Sequence, residues 1–306
     1  LYLCQAGKME EIIYNEDKHE RIDCFMNKYC SDYSRTYFQK LIKDCNLLVN
    51  DKTVSANYKL KKFDKIKYNL QNKPSFSMKP EKIALNIIYE DEDIIVINKQ
   101  ADIVVHQSFG HETGTLLNAL MYHLKNNTPF MVHRLDKDTT GAIIFAKNQK
   151  AKVSLSKQFQ KRTVRKTYIT AVCGTIREER GRIEAPLGRS QKNRKIIEVG
   201  PLAKKQAITE FKVLARTGGI TLLSVRIITG RTHQIRSHMK YIGHPVLGDA
   251  AYGGSQSLNG ITFNRQMLHS YKIQFSHPST GKTMNLIAEI PDDMKKLFSS
   301  VSKLLD

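Results

Sequence analysis

Residues 133–141 read His-Arg-Leu-Asp-Lys-Asp-Thr-Thr-Gly, and residues 142–146 follow at once as Ala-Ile-Ile-Phe-Ala. A polar turn that closes on a glycine and runs into an apolar segment predicts a loop at the edge of a buried strand. Asp136 then sits where a side chain faces a cleft rather than a core. Taken alone, an aspartate in such a turn more commonly caps its own backbone in water. Two catalytic motifs that share letters with this stretch do not fit. A protein kinase needs His-Arg-Asp without the intervening Leu135, and an Asp-Phe-Gly that the chain lacks. Asp-Thr-Thr-Gly is not the Asp-Thr-Gly of an aspartic protease, and no second copy supplies a partner carboxylate.

Two further stretches lie downstream. Arg165-Lys166-Thr167-Tyr168 enters a strand, where a tyrosine is ordinarily sheet packing and lysines ordinarily face water. Gly230-Arg231-Thr232-His233-Gln234-Ile235-Arg236-Ser237-His238 follows a strand ending near Ile228, and by itself is a basic turn opening a helix. From residue 86 onward, strand-like runs fall at 87–89, 94–98, 142–146, 168–172, 207–213, 221–227 and 286–290. Helical patterns fall at 115–125 and 149–161, and a one-faced apolar helix is expected within 291–306. Strands outnumber helices without strict alternation, which predicts α+β rather than a doubly wound parallel sheet.

The N-terminal part has a different character. Residues 1–20 are weakly patterned and read as an extension. Ile22, Phe25, Met26 and Tyr29 fall at helical spacing, and that segment is expected to stop before residues 31–32. Ser34 reads as the N-cap of a second helix. This helix has Phe38, Leu41, Ile42 and Cys45 on one face and Arg35, Gln39, Lys40 and Lys43 on the other. Strands are expected at 47–49 and 66–70, with Asn50 and Asp51 as a turn. Residues 21–80 hold 13 Lys and Arg against 5 Asp, a small basic module. The Pro74 and Pro80 region has no apolar period and reads as a linker.

Over all 306 residues there are 49 Lys and Arg against 29 Asp and Glu, a formal net charge of +20. A surface of that sign attracts polyanions, nucleic acid first among them, although a Lys-rich coding bias produces similar numbers. The 5 cysteines show no Cys-x-x-Cys spacing, which suits free thiols and argues against a zinc site. His233, His238 and His244 lack the i,i+4 histidine pairing with a nearby carboxylate that helical zinc sites use. No apolar run approaches bilayer length and no signal-peptide core is visible, so a cytoplasmic monomer is expected.

Taken together, the three stretches resemble the RluA-like family of pseudouridine synthases. That family carries a His-Arg-Leu-Asp-x-x-Thr-Ser-Gly block, an Arg/Lys-Lys-x-Tyr block and a Gly-Arg-x-His-Gln-Ile-Arg-x-His block in this order. His244-Pro245, Gly248-Asp249, Tyr252-Gly253, Leu268-His269 and His277-Pro278 extend the likeness over residues 87–291. Arg21-Ile22-Asp23, Ser34-Arg35, Leu41-Ile42 and Val49-Asn50 are similar to the S4 RNA-binding domain. The resemblance implies a mixed, largely antiparallel sheet with flanking helices at 86–306, a linker at 73–85 and an S4-like α/β module at 21–72.

It also implies the chemistry, isomerisation of uridine in ribosomal or transfer RNA to pseudouridine. The N1–C1′ bond breaks, the base turns over, and C5 joins C1′. Nothing is oxidised or consumed, so neither cofactor nor metal is implied. The resemblance makes Asp136 the catalytic carboxylate, as nucleophile or base on the sugar, and gives Arg236 the task of keeping it ionised through a guanidinium fork. Tyr168 would lie against the uracil, with Ile235 as an apolar floor and Arg134 filling the space the everted nucleotide leaves. His233 and Gln234 come from the same block as substrate-binding residues, and Lys166, Arg35, Lys40 and Lys43 as phosphate holders.

The chain departs from the pattern in several places. Lys99-Gln100-Ala101-Asp102 stands for Lys-Pro-x-Gly, and Thr140 replaces the commoner Ser. Cys45-Asn46, Asn50-Asp51 and Phe63 occupy S4 positions where glycine is usual. The altered 100–102 stretch is the one support for an alternative, a catalytically silent RNA-binding or ribosome-assembly factor on the same fold.

Overall fold

The computed structural model describes residues 9–30, 33, 35–70, 79–107, 113–125, 127–193, 195–201 and 203–298. The chain forms two units, Leu1–Ser77 and Met78–Asp306. In the first, β1 (Glu10–Ile13) precedes helices α1 (Ile22–Tyr29) and α2 (Arg35–Lys43), and strands β2 (Leu47–Val49) and β3 (Lys65–Tyr68) follow. The strands pair antiparallel in the order β1-β3-β2. Ile22 and Met26 of α1 and Phe38, Leu41 and Ile42 of α2 are buried against Leu47, Val49 and Ile66.

Strand β1 corrects the reading of residues 1–20 as an extension. Glu10 to Ile13 align with Tyr68 to Lys65, and Tyr14 beyond them is fully buried. Glu-Glu-Ile-Ile offers no period-two alternation, so nothing in its letters marks it as a strand. The helix stop at 31–32 and the Ser34 cap lie outside the described residues. At the positions where the S4 pattern has glycine, Cys45, Asn50, Asp51 and Phe63 all adopt left-handed backbone, with φ of 57°, 51°, 59° and 70°.

The second unit begins with β4 (Ile87–Glu90), β5 (Ile94–Lys99), α3 (Leu116–His123), β6 (Phe130–Met131), β7 (Thr140–Ala146), α4 (Gln149–Gln160) and β8 (Arg165–Cys173). Next come β9 (Arg180–Glu184), β10 (Leu187–Arg189), β11 (Ile197–Val199), β12 (Ile208–Thr217), β13 (Ile220–Ile227) and α5 (Gln234–Tyr241). After these lie β14 (Ser257–Leu258), β15 (Ile261–Thr262), β16 (Leu268–Ser276), β17 (Thr283–Ile287) and α6 (Asp292–Phe298). Ten strands form one sheet in the order β4-β5-β7-β16-β8-β13-β12-β9, with β17 on β16 and β6 on β7. The β7–β16 pairing is parallel and the others are antiparallel, the mixed sheet of an α+β fold. Among the described residues no helix is long and apolar enough to cross a membrane.

Strands β5 and β7 are legible because both faces are covered. Ile94 to Ile97 and Ala142 to Ala146 are all 0% exposed, so their letters run continuously apolar. Strand β16 lies beside β7 yet escaped the pattern, since His269 and Ser270 are buried polar residues within it. His269 Nδ1 meets Thr140 Oγ1 at 2.8 Å, and Ser270 donates to Ala142 O at 3.0 Å. Gly141 permits this closeness: a Cβ there would lie 2.3 Å from Ser270 O, and its φ is +106°. Helix α3 starts one residue later than expected because Thr115 is its cap, accepting from Asn118 N. Strand β17 ends at Ile287 rather than 290, and α6 covers only the front of the expected C-terminal helix, the rest lying outside the described residues.

Candidate active site

The turn bearing Asp136 is held by its backbone. Thr139 N donates to Asp136 O at 3.1 Å, which closes it. Lys99, the last residue of β5, is 0% exposed and donates to Gln100 O at 2.8 Å, Ile103 O at 2.9 Å and Lys137 O at 2.6 Å. Arg265 donates through Nη1 to Asp138 O at 3.2 Å, while its fork grips Asp293 at 2.7 Å on both oxygens. Two buried cations thus fix successive carbonyls of the Asp136 turn. Burial pulls the Lys99 ammonium down to about 7, against the attraction of Asp138 and Asp136. The missing Pro and Gly of the 99–102 stretch are accommodated locally. Asp102 adopts the left-handed φ of 61° that a glycine would supply, and its carboxylate pairs with Lys137 at 2.8 Å.

Helix α5 brings Arg236 to this turn. His233 precedes it in left-handed backbone with φ 52°, and the helix runs on from Gln234. Arg236 Nη1 lies 3.4 Å from Asp136 Oδ2, but its fork faces elsewhere. Nε meets Asp249 Oδ2 at 2.6 Å and Nη2 meets Asp249 Oδ1 at 2.8 Å, so the bidentate partner is Asp249. The Tyr252 ring lies 4.8 Å from the guanidinium carbon. Burial works against the Arg236 charge, but Asp249 outweighs it and keeps the group protonated. His233 Nε2 stands 4.0 Å from Asp136 Oδ1, and its Nδ1 is 2.9 Å from Tyr252 Oη. Burial lowers the His233 imidazole pKa, with Asp136 opposing.

From β8, Tyr168 presents a ring that is 5% exposed. Burial raises its phenol well above the ordinary value, against a hydrogen bond with the Ser270 side chain. Asp136, Tyr168, Ile235 and Arg236 together with Lys166 and Arg134 line a cavity of about 480 Å³. That lies within the range of roughly 300–1,000 Å³ typical of small-molecule sites. The Asp136 side chain keeps 22% of its surface open. One carboxylate among cations and an aromatic ring suits a polar ligand with a flat face better than an apolar one.

The other expected site residues divide. Arg134 Nη2 donates to Thr232 Oγ1 at 2.7 Å across the cavity wall. Lys166 lies 5.5 Å from the Phe159 ring centre, and burial pulls its ammonium down to about 8. Gln234 does not offer its side chain to a ligand. Its amide accepts from Thr229 Oγ1 and Arg231 N and donates to Ile208 O and Thr209 Oγ1, all between 2.7 and 3.0 Å. It is a brace between β12 and the start of α5. Arg35, Lys40 and Lys43 belong to α2 of the first unit; Lys40 and Lys43 are exposed, while Arg35 Nε donates to the buried Asp23 at 2.9 Å. Burial alone would raise the Asp23 pKa, but hydrogen bonds from Arg21, Gln39 and Arg35 hold it well below the usual carboxylate range. The expected site residues did not include Asp249, Tyr252, Lys99 and Arg265, although the first three stood in the family's motifs.

Residues 93–241 match the family model described as RNA pseudouridylate synthase. The chain is 41% identical over 295 residues to an uncharacterized RNA pseudouridine synthase, YlyB, of Bacillus subtilis, covering 94% of this chain and 96% of that one. It is 38% identical over 292 residues to ribosomal large subunit pseudouridine synthase D of Neisseria meningitidis, covering 91% of this chain and 78% of that one. Among solved structures, human RNA pseudouridylate synthase domain containing 1 superposes with a TM-score of 0.57 at 28% identity. That match covers 71% of this chain and 87% of the human one.

Proposed function

The chain belongs to the RNA pseudouridine synthase family, and from that premise we propose that Asp136 is the carboxylate with which it isomerises uridine in RNA. The observation that carries this reading is the partly open Asp136 side chain at a cavity shared with Tyr168 and Arg236, its turn fixed through Lys99 and Arg265. Its carboxylate acts on the sugar as nucleophile or base while the N1–C1′ bond breaks. The Arg236 guanidinium stands 3.4 Å from the Asp136 carboxylate. Tyr168 keeps its proton, so its hydroxyl is available as a proton donor as the base turns and C5 meets C1′. The proton displaced from C5 leaves to solvent while N1, freed from C1′, takes one up, so atoms balance without a second substrate.

Arg134, linked to Thr232 at the rim, fills the space left by the everted nucleotide. Lys166 lies inside the cavity and holds a phosphate of the same strand. The first unit serves as an S4-like RNA-binding module with Lys40 and Lys43 on its outer helix face. Relatives named for the large ribosomal subunit support ribosomal RNA as substrate, and with it a cytoplasmic setting. Replacing Asp136 by Ala or Asn should abolish pseudouridine formation on ribosomal RNA transcripts and leave RNA affinity nearly intact. Turnover at the normal rate by Asp136→Ala, read by tritium release from uridine-labelled RNA, refutes this assignment.

A further inference from the structure

Phe63 is the most exposed of the large hydrophobic residues described, at 68%. It also stands in left-handed backbone at φ 70°, where a bulky side chain is strained and glycine is not. The fold uses the backbone of this position and not the ring. Phe63 N donates to Tyr14 O at 2.7 Å, and the next residue, Asp64, anchors the turn by accepting from Asn50, Tyr58 and Lys61 N. Glycine would satisfy all of these contacts without strain. An aromatic ring kept in water on strained backbone points to a ligand rather than to folding.

The surroundings say which ligand. Lys62 Nζ lies 5.8 Å from the ring centre, and Lys59, Lys61 and Lys65 are exposed nearby in the chain. Opposite Lys65 in the β1–β3 register is Ile13, itself 49% exposed. Protein interfaces deplete lysine at their centres, whereas an aromatic face amid lysines matches the stacking platforms of single-stranded nucleic acid. We propose that Phe63 stacks on an unpaired base of the RNA, with the surrounding lysines on its phosphates. This rests on the reading of the first unit as RNA-binding, and adds to it a preference for unpaired over fully paired RNA.

The probes are a single-stranded oligouridine and a blunt RNA duplex of equal length. Phe63→Gly should weaken oligouridine binding by about tenfold, leave duplex binding unchanged, and keep or raise the melting temperature. The chain contains no tryptophan, so Phe63→Trp introduces a single reporter. It should retain affinity and lose fluorescence on binding oligouridine but not duplex. Unchanged oligouridine affinity in Phe63→Gly, equal weakening for both probes, or a fall in melting temperature each overturns the stacking role. Failure of the unmodified protein to bind either RNA overturns the RNA-binding reading of the unit instead.

Discussion

Arg236 turns its guanidinium fork to Asp249, at 2.6 and 2.8 Å, and offers Asp136 a single Nη1 contact at 3.4 Å. The orientation of Arg236 is therefore set by a carboxylate that never faces the cavity, since the Asp249 side chain is only 1% exposed. Asp136 lies beside the charge at a single contact and is not gripped by the fork. An Asp136–Arg236 fork would have tied up both carboxylate oxygens.

The first prediction concerns Asp249. In Asp249→Asn one acceptor becomes a donor facing the guanidinium, so Arg236 rotates or shifts. Displacements of this order reduce rates by about 100-fold. Single-turnover pseudouridine formation should fall by that factor while the RNA Kd stays constant. Asp249→Ala removes the partner outright and should destabilise the protein by about 3–5 kcal/mol in chemical denaturation. Equal losses of rate and affinity in Asp249→Asn would assign the pair to RNA docking.

How much of this was legible depended on what each residue's neighbours reveal in sequence. β5 and β7 announced themselves because a strand covered on both faces must be apolar throughout. β16 did not, because its buried His269 and Ser270 are satisfied by Thr140 and Ala142, residues well over a hundred positions away. The blocks carrying Asp136, Tyr168 and Arg236 were readable as motifs, and the chain does bring all three to one cavity. What motifs lack is hydrogen-bond direction. Gln234 shares a block with Arg236 yet spends its whole amide on β12 and the turn into α5, and Asp249 was quoted without a task. Lys99 reads only as the first residue of an altered turn motif, because its three carbonyl partners follow from a turn geometry that only folding creates.

Tyr168 supplies the second prediction. Its phenol is buried and its pKa is raised, so near neutral pH the hydroxyl works as a donor. Tyr168→Phe keeps the ring in the cavity wall but removes that donor. Loss of a positioned proton donor costs about 10²–10⁴-fold in rate. Turnover should fall within that range with RNA affinity changed less than threefold, roughly within the scatter of a lost exposed hydrogen bond. A parallel fall in affinity would limit Tyr168 to docking.

Lys99 can be tested apart from the cavity, because its ammonium holds the Asp136 turn from behind. Lys99→Met is close in length and removes the desolvated charge, but it orphans Gln100 O, Ile103 O and Lys137 O. Each orphaned carbonyl costs about 1–3 kcal/mol, partly offset by relief of the buried cation. The turn should loosen and the single-turnover rate should drop about tenfold or more at constant RNA affinity. A variant with an unchanged rate would show that Arg265 alone suffices to place Asp136.

The last prediction is an acid limit on folding set by buried neutral histidines. His269 is 0% exposed; Nε2 donates to Ala288 O at 3.3 Å, and in the neutral ring Nδ1 accepts from the Thr140 hydroxyl. Burial pulls its pKa down to about 4, against the hydrogen bond to Ala288, whereas an unfolded histidine titrates near 6.5. His133 behaves alike: burial lowers its pKa to about 3, and Nε2 accepts from Ile144 N at 3.0 Å. Between these values the unfolded chain binds protons that the folded chain refuses. The stability is complete above about pH 6.5 and is lost as pH falls, by about 1.4 kcal/mol per pH unit for each ring. Urea denaturation from about pH 6 to 4.5 should show this slope. His269→Asn keeps an acceptor for Thr140 but cannot take up a proton, and should remove the contribution of that ring from the slope. If the slope is the same in His269→Asn, the ring does not stay neutral in the fold, and Nδ1 is not the acceptor for Thr140 of β7.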